Sequence, residues 1–327
     1  MLRNLMIFSI ISSLFGCGSK DSAPGMFSAM GYHIGKTKVW LKSPGSGMQL
    51  YIVGELEGAD PATFKARTLV NKTGDSTTIG VDAHSAFWGY KKMDGADPAT
   101  LELVAPPYSK DKNAAYYQHY RLSNDVAHFE AFGPFVRDAQ NVYFAGEAQS
   151  DDAPHFVRVG DEKSSYFKDS KFCWYYISKI ADADPATFRQ IQGDFAVDAR
   201  YVYSEMNRID DAEVKSFQPL EHYYARDAHH AFFKNITIEG ADPASFKVVN
   251  ADFSLDARHC YLLGYTLPDA DPKTFTLIDK YYVKDAKHVW INGKLIEGAD
   301  PATFKVDDGP AGKSRDANHR YDLEKQI

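Results

Sequence analysis

Carboxylates, imidazoles and thiols are the groups in this chain whose spacing could do chemistry. Aspartates stand at Asp82, Asp111, Asp138, Asp169, Asp198, Asp227, Asp256, Asp285 and Asp316, about every 29 residues. A second set opens an Asp-Pro-Ala-Thr-Phe-like motif at Asp60, Asp97, Asp184, Asp242, Asp271 and Asp300, with weaker copies at Asp125, Asp152 and Asp211. Two carboxylates per unit could gather the several oxygen ligands that Ca²⁺ takes. The Asp-x-Asp-x-Asp-Gly spacing and the glycine-rich nonapeptide of calcium β-rolls are both absent, so turn and cap duties are the simpler reading. The last four units carry His230, His259, His288 and His319 three residues after the aspartate. Such a ladder could bind a metal or sense pH. Metal ligands must converge within about 2 Å of one ion, and a turn histidine copied with its repeat explains the spacing equally. These four are the metal candidates of the sequence; no cofactor is expected.

Cys173 and Cys260 each lie four residues after a repeat aspartate, where other units place Ala or Val. They are three repeats apart, and a disulfide needs Cα atoms within about 7 Å. Both read as small core residues, with no disulfide expected between them. There is no Gly-x-Ser-x-Gly elbow, phosphate loop, dinucleotide fingerprint or His-Glu-x-x-His. Repeated copies of Ser, His and Asp argue against one catalytic set, so the chain is expected not to be an enzyme.

The elements that must position these groups follow from the residues around the aspartate. Four residues later stand Ala86, Ala115, Val142, Cys173, Val202, Ala231, Cys260 and Val289; five residues later stand Phe87, Tyr116, Tyr143, Trp174, Tyr203, Phe232, Tyr261, Trp290 and Tyr321. Adjacent strand residues face opposite sides, so one face takes small residues and the other an aromatic column. Three residues before the aspartate, Tyr108, Phe135, Tyr166, Phe195, Tyr224, Phe253 and Tyr282 mark a preceding strand. Asp suits the turn between them because its carboxylate bonds nearby amides. Asn292-Gly293 between apolar runs signals a two-residue hairpin, which makes a three-stranded meander. Asp then Pro is a helix-start pattern, with room for about one turn before the Phe enters the core.

Fixed-period self-similarity means one supersecondary unit stacked many times. The fold expected is mainly β: an open array of nine to ten stacked meander or hairpin repeats, with short helical turns at the Asp-Pro motifs. The alternative is a closed, propeller-like arrangement. Gly35 to Trp40 reads as a degenerate first copy, followed by an insertion over 41–55 with a loop at Ser43-Pro44-Gly45-Ser46-Gly47. At the other end Lys313 and Arg320 replace apolar residues, as a polar terminal unit should.

Arg3 and the apolar run Leu5 to Phe15 make a targeting segment too short to span a bilayer unaided. Leu14-Phe15-Gly16-Cys17 resembles a bacterial lipobox, which implies lipidation at Cys17. The organisation expected is a signal peptide over 1–16, a tether over 17–34 and a β-repeat domain over 35–327. Gly18, in place of an Asp, favours the outer membrane of a Gram-negative envelope. Net charge is -7, with no basic cluster, which excludes the Lys/Arg footprint that nucleic acid demands.

The repeats resemble the DKNYY family of bacterial proteins: Asp111-Lys112-Asn113 with Tyr116-Tyr117 is the nearest literal copy, and Asp285 to Trp290 and Gly298 to Phe304 fit the wider pattern. The resemblance implies repeats and often an envelope location. It implies no activity, catalytic residue or cofactor. The function expected is a lipid-anchored envelope scaffold that binds a protein or a glycan. The alternatives are a metal-binding or enzymatic module using the terminal histidines, and a purely structural envelope protein.

Overall fold

The computed structural model describes residues 31–44, 50–307 and 313–327. The chain divides into two compact units, Met1–Phe156 and Val157–Ile327. Within each, small antiparallel sheets follow one another in chain order, and none closes on itself. Among the described residues there are ten sheets, one of three strands and nine of four. No helix among them is long and apolar enough to cross a membrane. The first sheet pairs Gly31–Ile34 with Val39–Pro44, and that strand with Leu50–Glu55. The insertion is therefore built on an antiparallel strand pair; residues 45–49, which include most of the expected loop, lie outside the described residues. Gly31–Ile34, within the segment expected as tether, instead forms a strand of this sheet, because its residues pair with Val39–Pro44. The rest of that segment, the signal peptide and Cys17 lie outside the described residues.

The sheet of Lys247–Val248, Phe253–Leu255, Cys260–Leu262 and Tyr265–Leu267 shows how the sequence builds a unit. The aspartate Asp256 turns the second strand into the third, with its N–H donating to the His259 carbonyl at 2.9 Å. That turn registers Leu255 against Cys260 and Ser254 against Tyr261. Leu263-Gly264 then turns the third strand into the fourth, which registers Leu267 against Cys260. The unit has four strands rather than three. The two residues after the Asp-Pro turn, here Lys247 and Val248 after Phe246, return along the next strand and open its sheet.

The Asp-Pro motifs make single hydrogen-bonded turns rather than helices. The Thr303 N–H donates to the Asp300 carbonyl at 3.2 Å, and Thr274 to Asp271 likewise. Only Ala153–His155 winds into a 3₁₀ helix among the described residues. The Asp carboxylate accounts for the brevity. In Asp300, Oδ1 accepts the Ala302 N–H at 3.0 Å and Oδ2 the Thr303 hydroxyl at 2.7 Å, so the motif closes on itself.

Both faces of the inner strands are buried. The small column at Ala231, Cys260 and Val289 and the aromatic column at Phe232, Tyr261 and Trp290 are all at most 2% exposed. Where the Asp-Pro motif ends in Phe, the ring wedges between two sheets; Leu101 stands in that position after Asp97. Phe246 lies 5.9 Å from Tyr224 of the preceding sheet and 6.2 Å from Tyr261 of the following one. Phe304 repeats this between Tyr282 and Tyr321, and Phe188 between Tyr166 and Tyr203. Full burial of such a ring stabilises by about 1.5–3 kcal/mol. In the last sheet Arg320 is exposed and Lys313 pairs with Asp322 at 2.6 Å, so the terminal face is polar.

Candidate functional site

The repeated aspartates are consumed by a clasp between neighbouring sheets. In Asp256, Oδ1 accepts the N–H groups of Arg258 and His259 at 2.6 and 2.7 Å. Its Oδ2 accepts the Asp242 N–H from the preceding Asp-Pro turn and the Tyr261 hydroxyl, both at 2.8 Å. The turn answers in the opposite direction: the Ser245 hydroxyl, held by Asp242, accepts the Ala257 N–H at 3.1 Å. The exchange between turn and aspartate recurs at Asp82, Asp198, Asp285 and Asp316, with Thr63, Thr187, Thr274 and Thr303 in the hydroxyl role of Ser245; Phe87 and Trp290 leave Asp82 and Asp285 without the aromatic hydroxyl. Where the motif is weak, the clasp is rebuilt. Ser123 donates to Asp138 at 2.6 Å, and Glu213 supplies its N–H to Asp227 at 2.7 Å.

Burial by itself would push the carboxyls of Asp138, Asp198, Asp256, Asp285 and Asp316 upward. The converging N–H donors, joined by a hydroxyl at all but Asp285, outweigh it and hold all five below the usual carboxylate range. The same contact acts in reverse on the phenols. Burial, with the adjoining carboxylate, pushes Tyr143 and Tyr321 up to about 12 and raises Tyr203 and Tyr261 as well. The residue before the aspartate adds a cationic cap. Lys284 Nζ donates to the Pro301 carbonyl at 2.7 Å, Lys168 to Pro185 at 2.7 Å and Arg226 to Pro243 at 3.1 Å.

The terminal histidines stand beside their own aspartates, with Nδ1 3.7, 3.9, 3.5 and 3.6 Å from the Oδ1 of Asp227, Asp256, Asp285 and Asp316 for His230, His259, His288 and His319. Each faces an acceptor already filled by backbone donors. Among the described residues no three His, Cys, Asp or Glu side chains are gathered as a metal site would require, so the fold distributes the four histidines one per sheet. Cys173 and Cys260 are free thiols in the small column, and burial pushes both up to about 12.

The opposite end of each sheet carries the loops between its first and second strands and between its third and fourth. Two shallow grooves stand out on the surface of the described residues. One, in the first unit, is lined by Gly54, Glu55, Glu57, Tyr90, Lys91 and Lys92. The other, of about 370 Å³ in the second unit, lies between the loops Gln192 to Phe195 and Leu220 to Tyr223. Sequence patterning missed the second because its residues vary between repeats. No fixed residue marks it: six residues before the aspartate stand Gln192, Glu221, Asn250 and Asp279 in successive repeats.

No curated protein and no solved structure matches the chain. Residues 32–198 and 195–325 both match the family model described as the DKNYY family. Together the two segments span the described repeats from the first sheet to the last, and the chain belongs to the DKNYY family.

Proposed function

We propose that this chain is a non-catalytic repeat scaffold of the bacterial cell envelope, anchored through lipid on Cys17, that binds another macromolecule. One observation carries the reading. The repeated aspartates, which are the natural candidates for chemistry, have their carboxylate oxygens spent on the clasp. What remains exposed is a series of loops whose residues change from sheet to sheet on a constant frame, the usual division between scaffold and recognition surface. The lipobox-like Leu14-Phe15-Gly16-Cys17 supports the anchor, and Gly18 supports an outer-membrane address over an inner one.

In-cell crosslinking from the loop residues, followed by identification of the captured partners, tests the binding role. A reproducible partner lost on loop substitution supports it. Uniform capture of abundant neighbours alone would leave a purely structural role. The anchor is tested separately: Cys17→Ser should abolish the lipid-dependent mass and detergent partition of the protein.

A further inference from the structure

We infer that the groove between the loops at 192–195 and 220–223 is a binding site for an uncharged saccharide. The site deepens the binding role proposed above and rests on it. In the two following repeats this loop closes on an Asx turn. Asn250 Oδ1 accepts the N–H groups of Asp252 and Phe253, and Asp279 Oδ1 those of Tyr281 and Tyr282. With Glu221 at that position the closure is different. Here His222 and Tyr223 are both held in the left-handed region, with φ of 53° and 67°. They are the only consecutive non-glycine pair so held among the described residues. That conformation is costly for residues with a Cβ, and neither ring repays it in the core, since both are exposed and Tyr223 is 46% accessible. Backbone strain in an exposed loop and a concavity coincide at this place.

The walls are held in place. The Asp194 carbonyl accepts the Glu205 N–H at 2.8 Å and the Tyr166 hydroxyl at 2.5 Å, while its Oδ1 accepts the Tyr175 hydroxyl at 3.0 Å. On the other side the Lys234 N–H donates to the Tyr223 carbonyl at 2.8 Å. Prior fixing of this kind reduces the ordering cost of binding.

The lining chooses the ligand. It offers a tyrosine ring, the carboxylates of Asp194 and Glu221, the Gln192 amide and the His222 imidazole. The two carboxylates repel an anion. A cation is disfavoured because Lys234 Nζ already lies 4.9 Å over the Tyr223 ring, with Glu205 at 3.4 Å. A hydroxyl-rich neutral ring fits both features. Its O–H groups donate to carboxylate acceptors, and its C–H face lies on the side of the Tyr223 ring away from Lys234, the residue being 46% accessible.

The test is saturation-transfer NMR on the full chain in detergent, with chitotetraose and maltotetraose as probes. Transfer to the ring protons of at least one probe is expected. Tyr223→Gly should remove it, and Glu221→Gln should weaken binding about tenfold, the scale of losing a central contact. Glycine suits the left-handed backbone, so Tyr223→Gly should keep or raise the melting temperature, which separates loss of the site from loss of the fold. No binding of either probe in the millimolar range overturns the inference, as does unchanged binding by Tyr223→Gly. Capture of a specific protein partner in cells without sugar binding would overturn this site and leave the scaffold role standing. Failure of both experiments would remove both.

Discussion

Replacing Asp256 by Asn is the most direct probe of the clasp. The change is nearly isosteric and leaves one acceptor oxygen where the carboxylate had two. Four donors converge on Asp256, two on each oxygen, and the residue is 1% exposed. Whichever way the amide turns, two of the four lose their acceptor and face an NH₂ group. A buried polar group left without a partner costs about 1–3 kcal/mol, so the variant should lose about 2–5 kcal/mol. For a unit of this size that corresponds to a fall in Tm on the order of 5–15 °C. Tyr261→Phe, which removes one donor and leaves the carboxylate intact, should cost only about 1 kcal/mol; Phe232 and Trp290 already occupy that position in neighbouring sheets. Urea unfolding read by fluorescence gives the magnitude, and hydrogen exchange at the Asp242, Arg258 and His259 amides gives its location. The pH dependence is a second check with a definite sign. The carboxyl of Asp256 is depressed in the fold. Its contribution is therefore present above the unfolded value of about 3.9 and lost as pH falls through the lower folded value. The gap between wild type and Asp256→Asn should accordingly close in acid. A variant within about 0.5 kcal/mol of wild type, the range of ordinary surface substitutions, would refute the clasp as a stabilising device. So would a gap that stays constant into acid.

Other perturbations test the remaining layers. Phe246→Ala removes the wedge between Tyr224 and Tyr261 and should cost about 3–5 kcal/mol in thermal or urea unfolding, whereas Phe246→Leu should cost markedly less. Leu263→Asn should stabilise by about 0.5–1 kcal/mol, because Leu263-Gly264 has the same left-handed pair of φ values as Asn292-Gly293, 50° and 86° against 47° and 77°. A fall in Tm for that variant would show that the exposed leucine makes a contact the fold requires. Cys173 and Cys260, buried with thiols pushed up to about 12, should react with a disulfide reagent at neutral pH only as fast as the protein opens; rapid modification of the native protein would contradict their burial.

The repeat, its aspartate turn and its packing columns were legible because they are short-range and copied nine times. Asp256 turns its own strand pair with its own neighbours, and Cys260 and Tyr261 fall on opposite faces by strand alternation alone. The fourth strand was not legible. Lys247 and Val248 are two ordinary residues, and they become a strand only by pairing with Leu255 and Ser254. The Asp-Pro motifs read as helix starts, but Asp300 spends its carboxylate on Ala302 and Thr303, which closes a single turn. The groove was hidden for a related reason. Gln192 and Tyr223 belong to different repeats and meet only when two sheets are placed side by side.

The amino-acid sequence by itself determined the period, the β character, the turn at each repeat aspartate and the membership of two faces, since all of these depend on residues within one unit. Only the tertiary structure decided what the second carboxylate oxygen does. Asp256 Oδ2 reaches a turn fourteen residues back, and the pairing of its charge with that turn's N–H exists only once two sheets stack. The same stacking assigned the histidines to four separate places and brought two unlike loops together around a groove. Spacing along the chain sets what each unit can form, and the contact between units sets which of its groups are left for a partner.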